Sequence, residues 1–160
     1  MKLGLGSEIK KQAVINRQYV PRITKSIYFD GSTDYLEIAD HNDFSPTDGS
    51  NTDKPFSTAC WVKRTDSNNF ALLAKGDNNA STMEWRIFVV SNKLYFDIYD
   101  NANSVYRRRV MSSAYGSWAN WTHVVTTYDG SENSTGLKIY INGETIAMSS
   151  GSGGSWSGIP

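Results

Sequence analysis

Residues 118–148 decide the fold: Trp118-Ala-Asn-Trp-Thr-His-Val-Val-Thr-Thr-Tyr-Asp-Gly130, then Leu137-Lys-Ile-Tyr-Ile-Asn-Gly-Glu-Thr-Ile-Ala-Met148. The first run is dense in Trp, Val, Thr and Tyr, side chains that fit a pleated, half-buried surface. Asp129-Gly130 closes it as a turn. In the second run Leu137, Ile139 and Ile141 share one face, while Lys138, Tyr140 and Asn142 share the other, which is the period of a strand. Asn142-Gly143 then sits between two strand-like runs, and Asn-Gly tolerates the positive φ that both central residues of a type I′ turn require. The spacing predicts a strand, a loop and a tight hairpin.

The same grammar repeats outward from this stretch. Trp85–Val90 and Lys93–Asp100 alternate across Ser91-Asn92, with Trp85, Ile87 and Val89 on one face and Leu94, Phe96 and Ile98 on one face of the partner. Phe56–Arg64 is apolar on both faces, as expected of a central strand in a two-layer stack. Phe70–Lys75 and Val105–Val110 read as further strands. The triplet Arg107-Arg-Arg109 cannot point one way, because neighbours on a strand alternate faces. Ser26–Gly31 and Asp34–Ile38 read as two short strands across a Gly-Ser-Thr turn. About ten short strands with turn signals between them predict an all-β, antiparallel two-sheet sandwich.

The chain has 160 residues, enough for one domain with a real core. Its single cysteine, Cys60, has no internal partner and sits in an apolar run, so it is expected to be buried. Net charge is zero, but unevenly spread. Residues 1–25 hold six basic side chains against Glu8 alone, giving +5, and residues 26–160 hold 10 basic and 15 acidic ones, giving −5. A basic extended arm (1–25) before an acidic body (26–148) is expected to dock on a partner such as a sister subunit, or to be a solvated leader. Residues 149–160, rich in Gly and Ser, have the composition of a linker. No apolar run reaches the length of a membrane span, and no secretory signal is legible.

Four segments, in order, resemble the laminin-G-type, concanavalin A-like jelly rolls: Ile27-Tyr-Phe-Asp-Gly31 with Asp34-Tyr-Leu-Glu-Ile38; Phe56-Ser-Thr-Ala-Cys-Trp-Val-Lys63; Trp121-Thr-His-Val-Val125 with Tyr128-Asp-Gly130; and Leu137-Lys-Ile-Tyr-Ile-Asn-Gly143. The resemblance implies a jelly-roll sandwich with Trp61 and Trp121 in the core and His123 as a structural strand residue. It also implies two more strands after the last hairpin. The Gly/Ser composition there predicts that they are missing, so that a neighbouring chain or the arm completes the sheet, or that the sequence is a fragment.

Sugar-cleaving relatives carry Glu-x-Asp-x-x-Glu on one strand, so that alternate carboxylates face one groove. Glu37-Ile-Ala-Asp40 lacks that pattern, and the expectation is a protein that is not an enzyme. A lectin-like site would draw on Tyr95, Tyr99 and Tyr106 for stacking, with Arg107 and Arg109, although ordinary cross-strand pairing accounts for the same residues. Calcium, common among such relatives, could find oxygen ligands at Asp77, Asn78 and Asn79, or at Asp40 and Asp43; otherwise no cofactor is implied. The Arg107–Arg109 run is too short to argue for nucleic acid.

Two functional expectations remain. One is a virion structural protein of a bacteriophage tail, fibre or capsid surface, oligomeric and joined through residues 1–25 to sister subunits or other virion proteins. There the sandwich would serve assembly, surface decoration or attachment to a host glycan. The opening Met-Lys-Leu-Gly-Leu-Gly6 resembles the starts of phage-particle proteins. The other is a carbohydrate-binding module of a larger bacterial surface protein.

Overall fold

The computed structural model describes residues 25–50, 52–66, 68–76, 82–116 and 118–160. The basic arm therefore lies outside the described residues except for Lys25. The chain divides into two compact units, residues 1–37 and 38–160.

Within the first unit, residues 25–37 run extended around a turn built by one side chain. The Asp30 carboxylate accepts from the backbone N–H of Ser32, Thr33 and Asp34 and from the Thr33 hydroxyl, at 2.8–3.0 Å. Those bonds hold its carboxyl well below the usual carboxylate range. Gly31 supplies the positive φ of 75°. The expected turn is present, but the two expected strands are not: residues 27–37 belong to no ladder, and Ile27, Tyr28, Phe29, Tyr35 and Leu36 are exposed. Local alternation makes a strand possible, and only a partner's hydrogen bonds make it one.

Among the described residues the second unit is a two-sheet sandwich of nine strands: β1 (Phe56–Val62), β2 (Phe70–Lys75), β3 (Trp85–Val90), β4 (Lys93–Asp100), β5 (Val105–Met111), β6 (Thr122–Tyr128), β7 (Leu137–Ile141), β8 (Glu144–Thr145) and β9 (Met148–Ser152). One sheet has the order β1-β6-β7-β8 and the other β2-β3-β4-β5-β9. Every pairing is antiparallel. Both tight hairpins use the predicted chemistry, with φ of 50° and 62° at Ser91 and Asn92 and of 52° and 85° at Asn142 and Gly143.

The core is the set of inward alternate positions. Ile87 and Val89 of β3, Leu94, Phe96 and Ile98 of β4, Val124 and Tyr128 of β6, and Leu137, Ile139 and Ile141 of β7 are all buried. Each such side chain contributes roughly 1.5–3 kcal/mol by leaving water. Thr58 and Thr126 share an inward hydroxyl–hydroxyl bond of 2.8 Å across β1 and β6.

Three expectations are corrected. Among the described residues β1 is an edge strand, not a central one. Its inward residues are Phe56, Thr58, Cys60 and Val62, so parity turns Trp61 outward, where it stacks on His123 with ring centroids 4.9 Å apart. Trp61 and Trp121 are half exposed, and the buried tryptophan is Trp118. Its indole N–H donates to the Asn92 carbonyl at 3.0 Å, and its ring meets Tyr115 and Phe70 edge-on. Cys60 is half buried, which pushes its thiol up.

The third correction concerns residues 149–160, which are not a linker. Met148–Ser152 pairs with β5, so a strand does follow the last hairpin, and Ile159 is 1% exposed. Two buried carboxylates hold the segment. Asp53 accepts from the Ile159 N–H at 2.8 Å, from the Trp156 indole N–H at 3.2 Å and from the Tyr128 hydroxyl. Asp100 accepts from the Ser157 N–H at 2.6 Å, the Ser157 hydroxyl at 3.0 Å, and the Asn103 N–H and amide at 3.1 and 2.8 Å. Composition suggested a solvated tail because small residues need no core; here they supply backbone donors to buried acceptors.

Asp100 also makes stability depend on pH. Burial raises its pKa, but the bonds from Asn103 and Ser157 outweigh burial and lower it below the ordinary value of 3.8. A depressed folded-state pKa gives stability that is present above the unfolded value, about 3.9, and lost as pH falls through the folded one. An Asp100→Asn variant is expected to lose less of its own stability than the parent between about pH 4 and pH 2. Urea midpoints across that range check it, and parallel curves would refute it.

Candidate functional site

The outward positions of the five-stranded sheet carry one continuous cluster. Arg86 and Phe88 on β3 and Tyr95, Asp97 and Tyr99 on β4 have the parity opposite to the buried Ile87, Val89, Leu94, Phe96 and Ile98, and their pairing with β5 puts Tyr106 and Arg108 on the same face. The register sets Arg86, Asp97 and Arg108 in one row across the three strands. Phe88 and Tyr95 form the row on one side, and Tyr99 and Tyr106 the row on the other.

Asp97 anchors the cluster. Although it is on the outer face, it is fully covered. The Arg108 Nε and Nη2 donate to its two oxygens at 2.6 Å each, the Arg86 Nε donates at 3.2 Å, and the Tyr99 hydroxyl at 3.0 Å. The fork of Arg108 matches the carboxylate bidentately, the strongest form of this pairing, and Asp97 holds the guanidinium well above its usual pKa. Burial, then the Asp97 charge, pushes the Tyr99 phenol up as well, so it is a neutral donor at physiological pH.

The rings stack around the two cations. Phe88 and Tyr95 lie 4.9 Å apart and only 19° from parallel. The Arg86 guanidinium sits 4.3 Å from the Phe88 centroid and 5.3 Å from that of Tyr99. That of Arg108 sits 4.7 Å from Tyr106 and 5.1 Å from Tyr95. Such contacts are worth roughly 0.5–2 kcal/mol each. Phe88 and the three tyrosines are half buried, so part of each ring meets solvent. The flanking strands place small residues beside this strip: Ala71 and Ala74 of β2 pair with Phe88 and Arg86, and Ser149 and Gly151 of β9 with Val110 and Arg108.

The structure therefore brings Tyr95, Tyr99 and Tyr106 together but places Arg107 and Arg109 on the other side of β5. Arg107 donates to the carbonyls of Glu132 and Gly153 at 3.0 Å, with its guanidinium 4.9 Å from the Trp156 ring centroid. Arg109 donates to the Leu137 carbonyl at 3.3 Å and the Ser150 hydroxyl at 2.5 Å. Both tie β5 to segments of the other sheet and to β9. Sequence reasoning missed Arg86, Phe88, Asp97 and Arg108, although the signal was available: each lies an even number of positions from a tyrosine on its own strand or pairs directly with one that does.

For calcium, Asp77, Asn78 and Asn79 lie outside the described residues. Asp40 is ion-paired to Lys75, whose ammonium also meets Glu84 at 3.1 Å. Asp43 is exposed beside His41. Among the described residues no group of three or more His, Cys, Asp or Glu side chains is placed to hold a metal ion. No helix of the described residues is long and apolar enough to cross a membrane.

The nine-strand antiparallel sandwich agrees with the family comparison. The profile of a laminin G-type family, described as the concanavalin A-like lectin/glucanases superfamily, matches residues 30–158. The chain belongs to that family. Neither a curated protein nor a solved structure matches it.

Proposed function

We propose that the chain is a non-catalytic carbohydrate-binding module, and that the outer face of β3, β4 and β5 is its glycan platform. The observation that carries this is the aromatic strip itself: four half-buried rings around two guanidinium groups on a sheet of a lectin-type fold. Sugar rings present flat C–H faces that lie against aromatic faces, while their hydroxyls need fixed polar partners such as the guanidinium N–H groups. No arrangement of alternating carboxylates argues for a hydrolase: Asp97 is already bound by four donors.

A glycan array run with millimolar calcium tests the platform. Reproducible binding should fall about tenfold in Tyr106→Ala, a loss of about 1.4 kcal/mol. Binding that survives both that substitution and Tyr99→Ala would move the site elsewhere, and turnover of a β-glucan would overturn the non-catalytic reading.

A finer form of the proposal places the module on a virion surface, joined through its basic leader to sister subunits. The +5 charge of residues 1–25 and the exposed apolar side chains of residues 27–36 support it. Light scattering on the full chain should then give an oligomer that deletion of residues 1–25 dissociates. A monomer unaffected by that deletion would favour a module of a larger surface protein.

A further inference from the structure

We infer that the saccharide taken by this platform is anionic, carrying a carboxylate or sulfate ester; the inference rests on the glycan-platform reading above. The outward positions of β3, β4 and β5 hold three cations, Arg86, Lys93 and Arg108, against one anion, Asp97, a balance of +2. Residues 26–160 as a whole carry −5. A positive face on a negative body is a directed electrostatic feature, which steers and selects an anionic ligand.

The donor geometry agrees with the charge. Asp97 satisfies Arg108 through Nε and Nη2 but Arg86 only through Nε. Among the described residues neither Arg86 terminal nitrogen nor the Arg108 Nη1 meets an acceptor, and these side chains are 30% and 24% exposed. Lys93 gives one of its three donors to the Ser112 carbonyl at 2.9 Å. Glu84, which precedes β3, is occupied by Lys75 at 3.1 Å and by the Ser45 hydroxyl at 3.1 Å, so it does not cancel the excess. The pair of free Nη groups on Arg86, held flat against Phe88, is a pre-oriented fork for a two-oxygen acceptor. A neutral sugar would meet that fork with single hydroxyls and leave its paired, charged geometry unmatched.

Calorimetry with paired ligands tests this. For each uronate-bearing glycan that binds, the free acid is compared with its methyl ester, and a sulfated neutral glycan and a single-stranded oligothymidylate are run beside them. The acid should bind at least about tenfold tighter than its ester, with an advantage that shrinks as salt rises. Arg86→Gln should weaken both ligands but bring the acid-to-ester ratio to about one, because the paired-oxygen contact is lost while Arg108 still holds Asp97. Sulfated glycan binding alongside the acid assigns the site to anionic sugars in general, and its failure assigns it to uronates; both support the inference.

Equal binding of acid and ester, insensitive to salt and to Arg86→Gln, would overturn the anionic inference and leave the glycan platform standing. Absence of any saccharide binding would overturn both. Binding of the oligothymidylate alone would replace the sugar with a nucleic acid. The wild-type acid-to-ester comparison decides the matter even if the Arg86 variant fails to fold.

Discussion

Removing residues 155–160 should cost more than about 5 kcal/mol and leave most of the protein unfolded at 25 °C. The loss of Ile159 alone removes a fully buried side chain, a change of roughly 2–5 kcal/mol in a core. The same deletion takes the Ile159 N–H and Trp156 indole from Asp53, and the Ser157 N–H and hydroxyl from Asp100. Hydrogen bonds to a charged group contribute about 1.5–3 kcal/mol each, and a buried carboxylate stripped of its donors carries its full desolvation cost. These terms are not additive, but domains of this kind have only about 5–15 kcal/mol in all. Far-UV circular dichroism with urea titration measures the outcome. An unchanged midpoint would return residues 155–160 to the status of a linker.

The second large effect lies in the platform. Asp97→Ala leaves two guanidinium groups and a phenol without their shared acceptor. Removing one partner of a buried pair costs roughly 3–5 kcal/mol. The low end, about 3, is expected because Arg86 and Arg108 are partly exposed and can turn toward water. Asp97→Asn should cost less, since an amide oxygen still accepts one bond and the row keeps its shape. Glycan binding should fall in both variants, because the guanidinium planes and the rings packed on them lose their common anchor. Thermal unfolding beside the binding assay separates the two effects. Full binding by a folded Asp97→Ala protein would show that the strip does not depend on its central carboxylate.

What could be read from the sequence divides along sequence distance. Hairpins at Ser91-Asn92 and Asn142-Gly143, and the inward alternation of Ile87, Val89, Leu94, Phe96 and Ile98, are written in neighbouring residues, so they were legible. Trp61 misled because its likeness to a core tryptophan outweighed parity: with Phe56, Thr58, Cys60 and Val62 inward, the odd positions must face out. Asp53 sat in a polar loop beside Asp40, Asp43 and Asp48, and nothing local distinguishes it from them; its partners lie 75 to 106 residues away. The tyrosines of the platform were legible as a group. Arg107 and Arg109 were attached to them by adjacency, when the strand period selects Arg108.

The clasp formed by Asp53 and Asp100 also bears on when the fold can be completed. As the chain emerges from a ribosome, Asp53 is available long before Ile159, which follows it by 106 residues, and Asp100 precedes Ser157 by 57. Until residue 159 clears the exit, both carboxylates stay hydrated and the space that Ile159 fills stays open. Closure of such distant contacts carries the loop entropy that slows β proteins most. Strands β3 to β5 and β6 to β8 can pair early from local hairpins, and the docking of residues 155–159 is expected to follow as a slower step.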